Sequence, residues 1–413
     1  MIAILTPTHP TSAPWLLQTY QSLLQQTLTT WTWILLPNNG ATIPTAITAD
    51  SRVRIFPGPD TNHIGALKHA AASHAKANIL VELDADDLIT PNALLTITTA
   101  FDDPSIHMVY SNSASFDDAG NSTRYNPAEN WRYRDYRHNN HTLTEHIAWP
   151  PSPHSFRLIY YAPDHVRAWR TTSYWQVGGH DPNLQTGDDH DLCCRFYLTY
   201  GHTGIHHIDK CLYLYRLHDK QSFRTYNAQI QQQTLANYLR YSRDLTIRWA
   251  NDHNLTLLDL GGRFNAWPGF QTVDLHDTDH ITDLRQPWPF PNNSAGVIKA
   301  HHIAEHLPDP IHFMNEAYRV LAPGGWLFME VPSTDGPGAF RDPTHRSFWH
   351  EQSIWYYTNQ QYAQFIQPTY TGRFQNARTV TYHPFGPDIP IVQADLIALK
   401  PPYDNRPVGQ VLI

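Results

Sequence analysis

Short apolar runs that end at polar turns recur along the chain and predict buried strands. Three such runs lie at Ile2–Leu5, Ala77–Leu83 and Leu255–Leu260, and they have the length of strands rather than of helices. Between the last two, residues 227–249 are rich in Gln and carry apolar residues at the intervals of a partly exposed helix. Because a strand begins again after this helix, the pattern predicts a domain at 1–226, a linking helix at 227–252 and a second domain at 253–413.

Three carboxylates follow the strand predicted at Ala77–Leu83 within four residues, at Asp84, Asp86 and Asp87. Such a cluster at the end of a buried strand is costly unless a cation neutralises it. Hard divalent cations take oxygen ligands and bridge to phosphates, so the turn predicts a metal and phosphate site. The alternative is a solvated acidic turn before the helix that follows Pro91, since Asp and Pro also favour helix starts.

This acidic turn resembles the D-x-D region of glycosyltransferase family 2, whose inverting members use nucleotide-diphosphate sugars on a GT-A scaffold. The resemblance runs from residue 1 to about 225, and further segments carry it in order. They are Met1–Pro10, Trp33–Gly40, Ile64–Lys68, Val177–Leu184, Gly187–Arg195 and Leu212–His218. The resemblance therefore implies an α/β fold with an N-terminal GT-A domain that binds a nucleotide sugar.

The resemblance also implies where the donor binds. Asp86, with His218, would hold Mn²⁺ or Mg²⁺ against the two phosphates. Asn38 and Asn39 stand where many relatives have paired Asp; an amide still hydrogen-bonds a pyrimidine edge, which leaves the base open. The residues implied in nucleotide-sugar binding are Pro7, Thr8, Asn38, Asn39, Lys68, Asp84 and Asp86.

Asp189 is the residue that the resemblance favours as general base, because it stands six residues before Arg195. Inversion requires an acceptor hydroxyl to attack the sugar from the face opposite the diphosphate, with a base beside it. Asp188 and Asp191 are the competing candidates. All three carboxylates also suit a helix N-terminus by charge alone, which is a role without catalysis.

Aromatic and basic residues are candidates for binding the acceptor, a glycan or another hydroxyl-bearing molecule. They lie at residues 131–137 and at Arg167, Trp169 and Arg170. Stacking on a glycan and ordinary packing inside the fold explain these residues equally well.

The strand at Leu255–Leu260 contains Asp259 and is followed by a pair of glycines, and Gln271–Asp274 predicts a second strand that ends on a carboxylate. This arrangement, with further segments up to about residue 400, resembles class I methyltransferases that bind S-adenosylmethionine on a Rossmann-like fold. In that family the glycine turn lies under the methionine part and the second carboxylate takes the ribose hydroxyls. The tail at Phe374–Leu399 predicts the final antiparallel pair of strands. The residues implied in cofactor binding are Asp259, Gly261, Gly262, Asp274, Asp283 and His301.

The first crossover of this second domain is unusually short. Only eight residues separate Gly262 from Gln271, whereas a parallel crossover that contains a helix needs a dozen or more. We therefore expect the first helix to be missing or a single turn. Since the N-terminus of that helix normally faces the cofactor, a domain that binds an acceptor or partner without catalysis is the alternative to a working methyltransferase.

Residues His302, Glu305 and His306 spell the inverted zinc-peptidase pattern, which needs both histidines on one face of a helix. The pattern directly follows a predicted strand, and Pro308 stands two residues after it. The sequence therefore favours a strand-to-loop turn over a zinc peptidase site. Further on, His345 follows another predicted strand and is a candidate base or methyl-acceptor contact, with an ordinary loop histidine as the alternative.

Composition restricts the partners. A formal charge of -8 with 29 Lys plus Arg gives no general basic surface for a nucleic-acid backbone. The three Cys make no disulfide framework, and no apolar segment is long enough to span a membrane, so we expect a cytoplasmic enzyme of glycan or polysaccharide synthesis. A non-catalytic sugar-binding protein on the same scaffold is the alternative, disfavoured by the joint presence of Asp84, Asp86, Asp189 and His218.

Overall fold

The computed structural model of the protein describes residues 1–125, 131–157, 164–386 and 388–401. Two compact units divide the chain, the first at Met1–Leu245 and the second from Thr246 onward. Each unit is built around one sheet. Among the described helices, none combines the length and the apolar character needed to cross a membrane.

The first unit contains a mixed sheet of ten described strands. They are β1 (Ile2–Thr8), β2 (Trp31–Pro37), β3 (Val53–Ile55), β4 (Ile79–Glu82), β5 (Leu88–Ile89), β6 (Met108–Phe116), β7 (Arg132–His138), β8 (His141–Ile147), β9 (Arg167–Arg170) and β10 (Ile205–Arg216). The order is β3-β2-β1-β4-β9-β6-β10-β5, and the β7–β8 hairpin joins through β8 to β6. Strands β1 to β4 run parallel, so their carboxyl ends meet at one edge, while β9 lies antiparallel between β4 and β6.

Buried apolar strands form the centre of this unit. All four residues of β4 are buried, as the apolar run at Ala77–Leu83 predicts. Its Val81 packs in one core with Trp33 of β2 and with Ile4 of β1. The helices of this unit are α1 (Leu16–Leu24), α2 (Thr45–Thr48), α3 (Ile64–Ser73), α4 (Ala93–Ala100), α5 (Pro153–Phe156), α6 (Thr171–Gln176), α7 (Asp188–Tyr200) and α8 (Ser222–Thr225).

A long helix, α9 (Asn227–Asp252), covers the residues of the predicted linking helix. The division between the two compact units falls inside it, between Leu245 and Thr246. Most of this helix therefore belongs to the first unit.

The second unit contains a sheet of seven described strands. They are β11 (Thr256–Leu260), β12 (Gln271–Asp274), β13 (His280–Ile281), β14 (Ala295–His301), β15 (Leu321–Pro332), β16 (Phe374–Tyr382) and β17 (Ile391–Ala398), in the order β13-β12-β11-β14-β15-β17-β16. The first five are parallel, whereas β17 is antiparallel to both β15 and β16. The final antiparallel pair predicted from the tail is confirmed.

Helices of the second unit are few and mostly short. They are α10 (Pro310–Val320), α11 (Gly338–Arg341), α12 (Trp355–Thr358) and α13 (Gln360–Ala363), with 3-10 turns at Ala304–His306 and Glu351–Ile354. The described residues 261–270, between β11 and β12, form turns without a helix. This confirms the short first crossover expected from its length.

Candidate functional site

The acidic turn after β4 contains carboxylates in two different environments. Asp87 is buried and accepts hydrogen bonds from the Tyr213 hydroxyl at 2.8 Å and from the Arg216 amide at 2.7 Å. Burial and the neighbouring Asp86 raise the pKa of Asp87 well above its usual range. Asp87 therefore holds the turn against β10. Asp84 and Asp86, in contrast, are half-buried and partly accessible to solvent.

Asp86 lies beside His218, the residue predicted to share its metal site, and metal binding by the two stays a prediction. The Oδ2 atom of Asp86 and Nε2 of His218 lie 2.8 Å apart. The amide of Lys220 donates to Nδ1 of His218 at 3.2 Å, so Nε2 carries the proton that Asp86 accepts. A cation at this position requires Nε2 to give up that proton, after which one carboxylate and one imidazole, with the diphosphate as a further source of oxygen ligands, would fit Mn²⁺ or Mg²⁺.

Lys68 differs from the expected nucleotide-facing residue, because its ammonium points into a buried ion cluster. It is 6% exposed on α3, and its Nζ lies 3.3 Å from Oε1 of Glu82 and 3.8 Å from Oδ2 of Asp188. Burial alone would lower the pKa of Lys68, but Asp188 and Glu82 outweigh it and raise that pKa. Asp189 and Asp84 act on the same ammonium. Lys68 therefore connects the acidic turn electrostatically to the start of α7.

Glu82 is the carboxylate at the centre of this cluster. It is 2% exposed, accepts a hydrogen bond from Nε of Arg167 at 2.9 Å, and has Nε2 of His180 2.6 Å from its Oε1. Burial would raise its pKa, but Lys68 and Arg167 hold the pKa of Glu82 well below its usual range. Neither Glu82 nor His180 is predicted from the sequence as a site residue. A charge inside the apolar run before Asp84 was the available signal, since a buried carboxylate needs cationic partners.

The three carboxylates at the start of α7 have separate environments. Asp191 is 1% exposed, accepts from Arg195 at 2.6 and 2.8 Å, and accepts from the Tyr241 hydroxyl at 2.8 Å. Asp188 is buried beside Lys68, and its burial raises its pKa. Asp189 has the most exposed side chain of the three at 17%. Of the three predicted base candidates, Asp189 is thus the one that a substrate reaches most easily.

A close backbone contact fixes α3 against the turn that precedes α7. The amide of Gly65 donates to the carbonyl of Leu184 at 3.2 Å, and a Cβ atom at position 65 would lie 2.1 Å from the carbonyl oxygen of Asp181. Only glycine fits so near a backbone oxygen. The glycine of the Ile64–Lys68 segment therefore serves to bring Lys68 to Asp188.

The turns after β1 and β2 lie at the same edge of the sheet. Pro7 and Thr8 end β1, which pairs with β2 in register up to Pro37. Asn38 donates from Nδ2 to the carbonyl of Thr61 at 2.9 Å, and Asn39 donates to Oδ1 of Asn62 at 2.9 Å. The two amides thus hold a neighbouring loop, and their contact with a nucleotide stays a prediction.

The residues suggested for glycan contact separate into buried and exposed sets. Arg167 is 1% exposed and Trp169 is wholly buried in β9, so both side chains belong to the interior of the fold. Residues 132–138 form β7, an exposed strand of the β7–β8 hairpin, where acceptor contact stays a prediction.

In the second unit, Asp259 forms a buried ion pair with Lys299. It is wholly buried, and Nζ of Lys299 donates to its two oxygens at 2.9 and 3.1 Å. The amide of Trp267 donates to the same carboxylate at 2.9 Å, and Lys299 also donates to the carbonyl of Asn265 at 2.7 Å. Burial raises the pKa of Asp259 despite these donors. The ion pair therefore anchors the helix-free crossover to β14.

The other residues implied in S-adenosylmethionine binding lie near the carboxyl ends of β11, β12 and β14. Gly261 has a φ of 73°, and a Cβ at Gly262 would lie 2.8 Å from Cγ of Asp259, so both positions of the turn require glycine. Asp274 ends β12 half-buried and accepts the Leu275 amide at 2.6 Å. A carboxylate at this strand end fits the ribose hydroxyls of the cofactor.

Asp283 and His301, the two remaining residues implied in cofactor binding, each contact another side chain of the protein. Asp283 forms an exposed ion pair with Arg285 at 2.8 Å. His301 ends β14 with Nδ1 3.4 Å from Oε2 of Glu330, and burial followed by the charge of Lys299 lowers its pKa to about 3. His301 is therefore a neutral imidazole at physiological pH.

Family models match both units of the chain. The Glycosyl transferase family 2 model matches residues 3–157, and the Methyltransferase domain model matches residues 253–329. The O-antigen biosynthesis protein RfbC of Myxococcus xanthus is 22% identical over 220 residues, which is 52% of this chain but 16% of RfbC. This chain thus spans a small part of that relative.

Two solved structures of S. aureus TarS are similar at low identity. TarS 1-349 has 13% identity and a TM-score of 0.39, covering 60% of this chain and 78% of that one. TarS 1-349 in complex with UDP-GlcNAc has 12% identity and a TM-score of 0.41 with the same coverage. The two family matches confirm both resemblances, that of residues 3–157 to glycosyl transferase family 2 and that of residues 253–329 to a methyltransferase domain.

Proposed function

We propose that the first unit is an inverting glycosyltransferase that moves a sugar from a nucleotide-diphosphate donor to an acceptor hydroxyl. The observation that carries the proposal is that the buried Arg167 lies 2.9 Å from Glu82, two residues before Asp84, and 2.8 Å from Asp189. The acidic turn that the family resemblance assigns to the donor and the carboxylate that it assigns to the base are therefore joined through one side chain. Relatedness to a protein named for O-antigen biosynthesis supports a glycan product.

In this mechanism the chain's own residues position the reactants and move one proton. Asp86 and His218 would hold Mn²⁺ or Mg²⁺, and the cation would supply positive charge for the departing diphosphate. Asp189 accepts the proton of the acceptor hydroxyl as that oxygen attacks the anomeric carbon from the opposite face. Arg167, 2.8 Å from Asp189, keeps the carboxylate in one orientation.

For the second unit we propose binding of S-adenosylmethionine, which supplies a methyl group for the glycan or its acceptor. Gly261 and Gly262 would lie under the methionine part, and Asp274 would accept hydrogen bonds from the ribose hydroxyls. The helix-free crossover and the Asp259–Lys299 ion pair favour the alternative, a domain that binds an acceptor without catalysis. Cofactor binding by the whole protein distinguishes the two.

A screen of nucleotide sugars with the full chain tests the proposal. We expect slow hydrolysis of one donor that requires Mn²⁺ and that Asp86→Ala abolishes. Parallel reactions with S-adenosylmethionine and a candidate acceptor report on the second unit. Folded protein that neither binds a nucleotide diphosphate with Mn²⁺ nor hydrolyses any donor would contradict a glycosyltransferase function.

A further inference from the structure

Two histidines and one glutamate converge in the second unit, apart from the residues assigned to S-adenosylmethionine. Glu305, His306 and His345 each place one ligand atom within 4.8 Å of the others. Across the described parts of the chain, this is the one group of three or more His, Cys, Asp or Glu side chains that does so. It joins the 3-10 turn after β14 to the loop that follows α11.

Glu305 supplies a buried carboxylate oxygen without a hydrogen-bond donor. The residue is 2% exposed, and Oε2 has no hydrogen-bond partner among the residues that the structure describes. Its other oxygen, Oε1, lies 3.5 Å from Nδ1 of His302. A buried carboxylate oxygen without a donor is unfavourable, and a cation is one group that removes the penalty.

Both histidines donate a hydrogen bond from the same ring nitrogen, Nδ1. Nδ1 of His345 lies 2.8 Å from the carbonyl of Ala339, so Nδ1 donates. Nδ1 of His306 lies 3.0 Å from Oγ1 of Thr344, whose own proton goes to Asp342 at 2.6 Å, so Nδ1 of His306 donates as well. In both rings Nε2 is therefore the atom with a free lone pair. Metal-binding histidines are oriented by such contacts at their other nitrogen.

Backbone contacts hold the two halves of the group together. The carbonyl of Glu305 accepts from the amides of Arg346 and Ser347 at 2.7 and 3.0 Å, and the Ser347 hydroxyl donates to the carbonyl of Ala304 at 2.9 Å. Since these bonds flank both Glu305 and His345, they fix the two residues relative to each other. This preorganisation favours binding, because little ordering remains to be done.

We propose that Glu305, His306 and His345 bind a divalent transition-metal cation of the zinc class. Two imidazoles and one carboxylate suit such borderline ions better than Mg²⁺ or Ca²⁺, which prefer oxygen ligands alone. Three protein ligands leave a coordination position for water or a hydroxyl oxygen. The site differs from the zinc-peptidase pattern: Ala304–His306 is a single 3-10 turn, and the third ligand is His345 instead of His302.

Zinc titration of the full chain tests this proposal. Asp86→Ala serves as the background, so that the proposed metal pair of the first unit does not contribute. We expect metal-free protein to take up about one equivalent of Zn²⁺. His306→Ala and His345→Ala should each weaken the affinity by about 100-fold or more, and Thr344→Val by roughly 10- to 100-fold through loss of ring orientation.

A matched control and a spectroscopic readout complete the test. His312→Ala, on α10, should leave the Zn²⁺ affinity unchanged, because its Nε2 lies 3.1 Å from the Gln286 carbonyl and the residue is outside the proposed ligand group. Co²⁺ in place of Zn²⁺ should give visible bands of low-symmetry coordination that disappear in the two histidine variants. Thr344 is exposed, so Thr344→Val remains informative if a ligand variant fails to fold. Equal Zn²⁺ affinity in the background protein and in Thr344→Val and His306→Ala would overturn the proposal.

Discussion

Nη2 of Arg167 lies 2.8 Å from Oδ2 of Asp189. The guanidinium is 1% exposed and sits on β9 in the middle of the sheet, so it cannot follow a movement of the carboxylate. Asp189, in contrast, begins a helix and has a partly exposed side chain. Arg167 on β9 thus holds the carboxylate of the predicted base in one orientation.

We predict that Asp189→Asn keeps donor binding and lowers sugar transfer by roughly two to four orders of magnitude, the range for loss of a positioned general base. The amide preserves the size of the side chain but cannot accept the hydroxyl proton. Steady-state kinetics should therefore show a lower kcat, while calorimetry shows an unchanged Kd for the nucleotide diphosphate.

Asp191→Asn is the internal comparison for that variant. Asp191 binds Arg195 and Tyr241, so its substitution should lower the melting temperature of the protein more than the rate of transfer. An inactive but stable Asp191→Asn protein, together with an active Asp189→Asn protein, would assign the base to Asp191.

Asp86→Ala should abolish metal-dependent binding of a nucleotide diphosphate without unfolding the protein. Its carboxylate is half-buried and lies 2.8 Å from Nε2 of the neutral His218 ring, so removing it leaves no buried charge unpaired. Calorimetry with Mn²⁺ present and absent measures the effect. Asp118→Ala is a suitable control, because that exposed residue contacts Arg216 and not His218. Undiminished affinity in Asp86→Ala would exclude Asp86 from metal binding.

Glu82→Gln should destabilise the first unit by about 3–5 kcal/mol, the range for breaking a buried ion pair. Lys68 and Arg167 would keep their charges while losing the carboxylate that lies between them. Because folding depresses the pKa of Glu82 below its unfolded value near 4.5, its stabilisation is present above that pH and is lost as the pH falls further.

Urea unfolding of the wild type and Glu82→Gln at several pH values measures this difference. The gap between the two proteins should narrow as the pH falls below about 4.5. Asp244→Asn, which breaks an exposed ion pair with Arg243, should change stability by less than about 1 kcal/mol. A gap that stays constant down to acid pH would mean that the charge of Glu82 does not stabilise the fold.

For the second unit, Asp274→Ala should abolish binding of S-adenosylmethionine or S-adenosylhomocysteine by the full chain. The carboxylate at the end of β12 is the partner proposed for the ribose hydroxyls. Asp283→Ala, which removes an exposed ion pair with Arg285, should bind the cofactor more nearly like the wild type. If the wild type shows no binding at millimolar cofactor, the unit is an acceptor-binding or scaffold module.

The sequence predicted what is local and left out what the folded sheet brings together. The strand at Ala77–Leu83 and the acidic turn after it can be predicted because hydrophobicity and composition change within a few residues. The cluster of Glu82, Arg167 and His180 cannot be predicted in this way, because its members come from separate elements that meet only in the folded unit. The position of β9 between β4 and β6 has no signal of its own in the sequence.

The second unit shows the same limit. Counting residues between Gly262 and Gln271 was enough to predict a crossover without a helix. The ion pair between Asp259 and Lys299, which anchors this crossover, joins residues 40 positions apart in the chain. Predicting it would have required the register in which β11 pairs with β14.

Asp86 and His218 are 132 positions apart in the chain. A cation held by both would close a loop that contains most of the first unit, including β6, β9 and the start of α7. Such a ligand binds only after the sheet is complete, so its binding energy is shared by every element that the loop encloses. Occupancy by metal and nucleotide should then protect the amides of that whole unit from hydrogen exchange, as a single cooperative block.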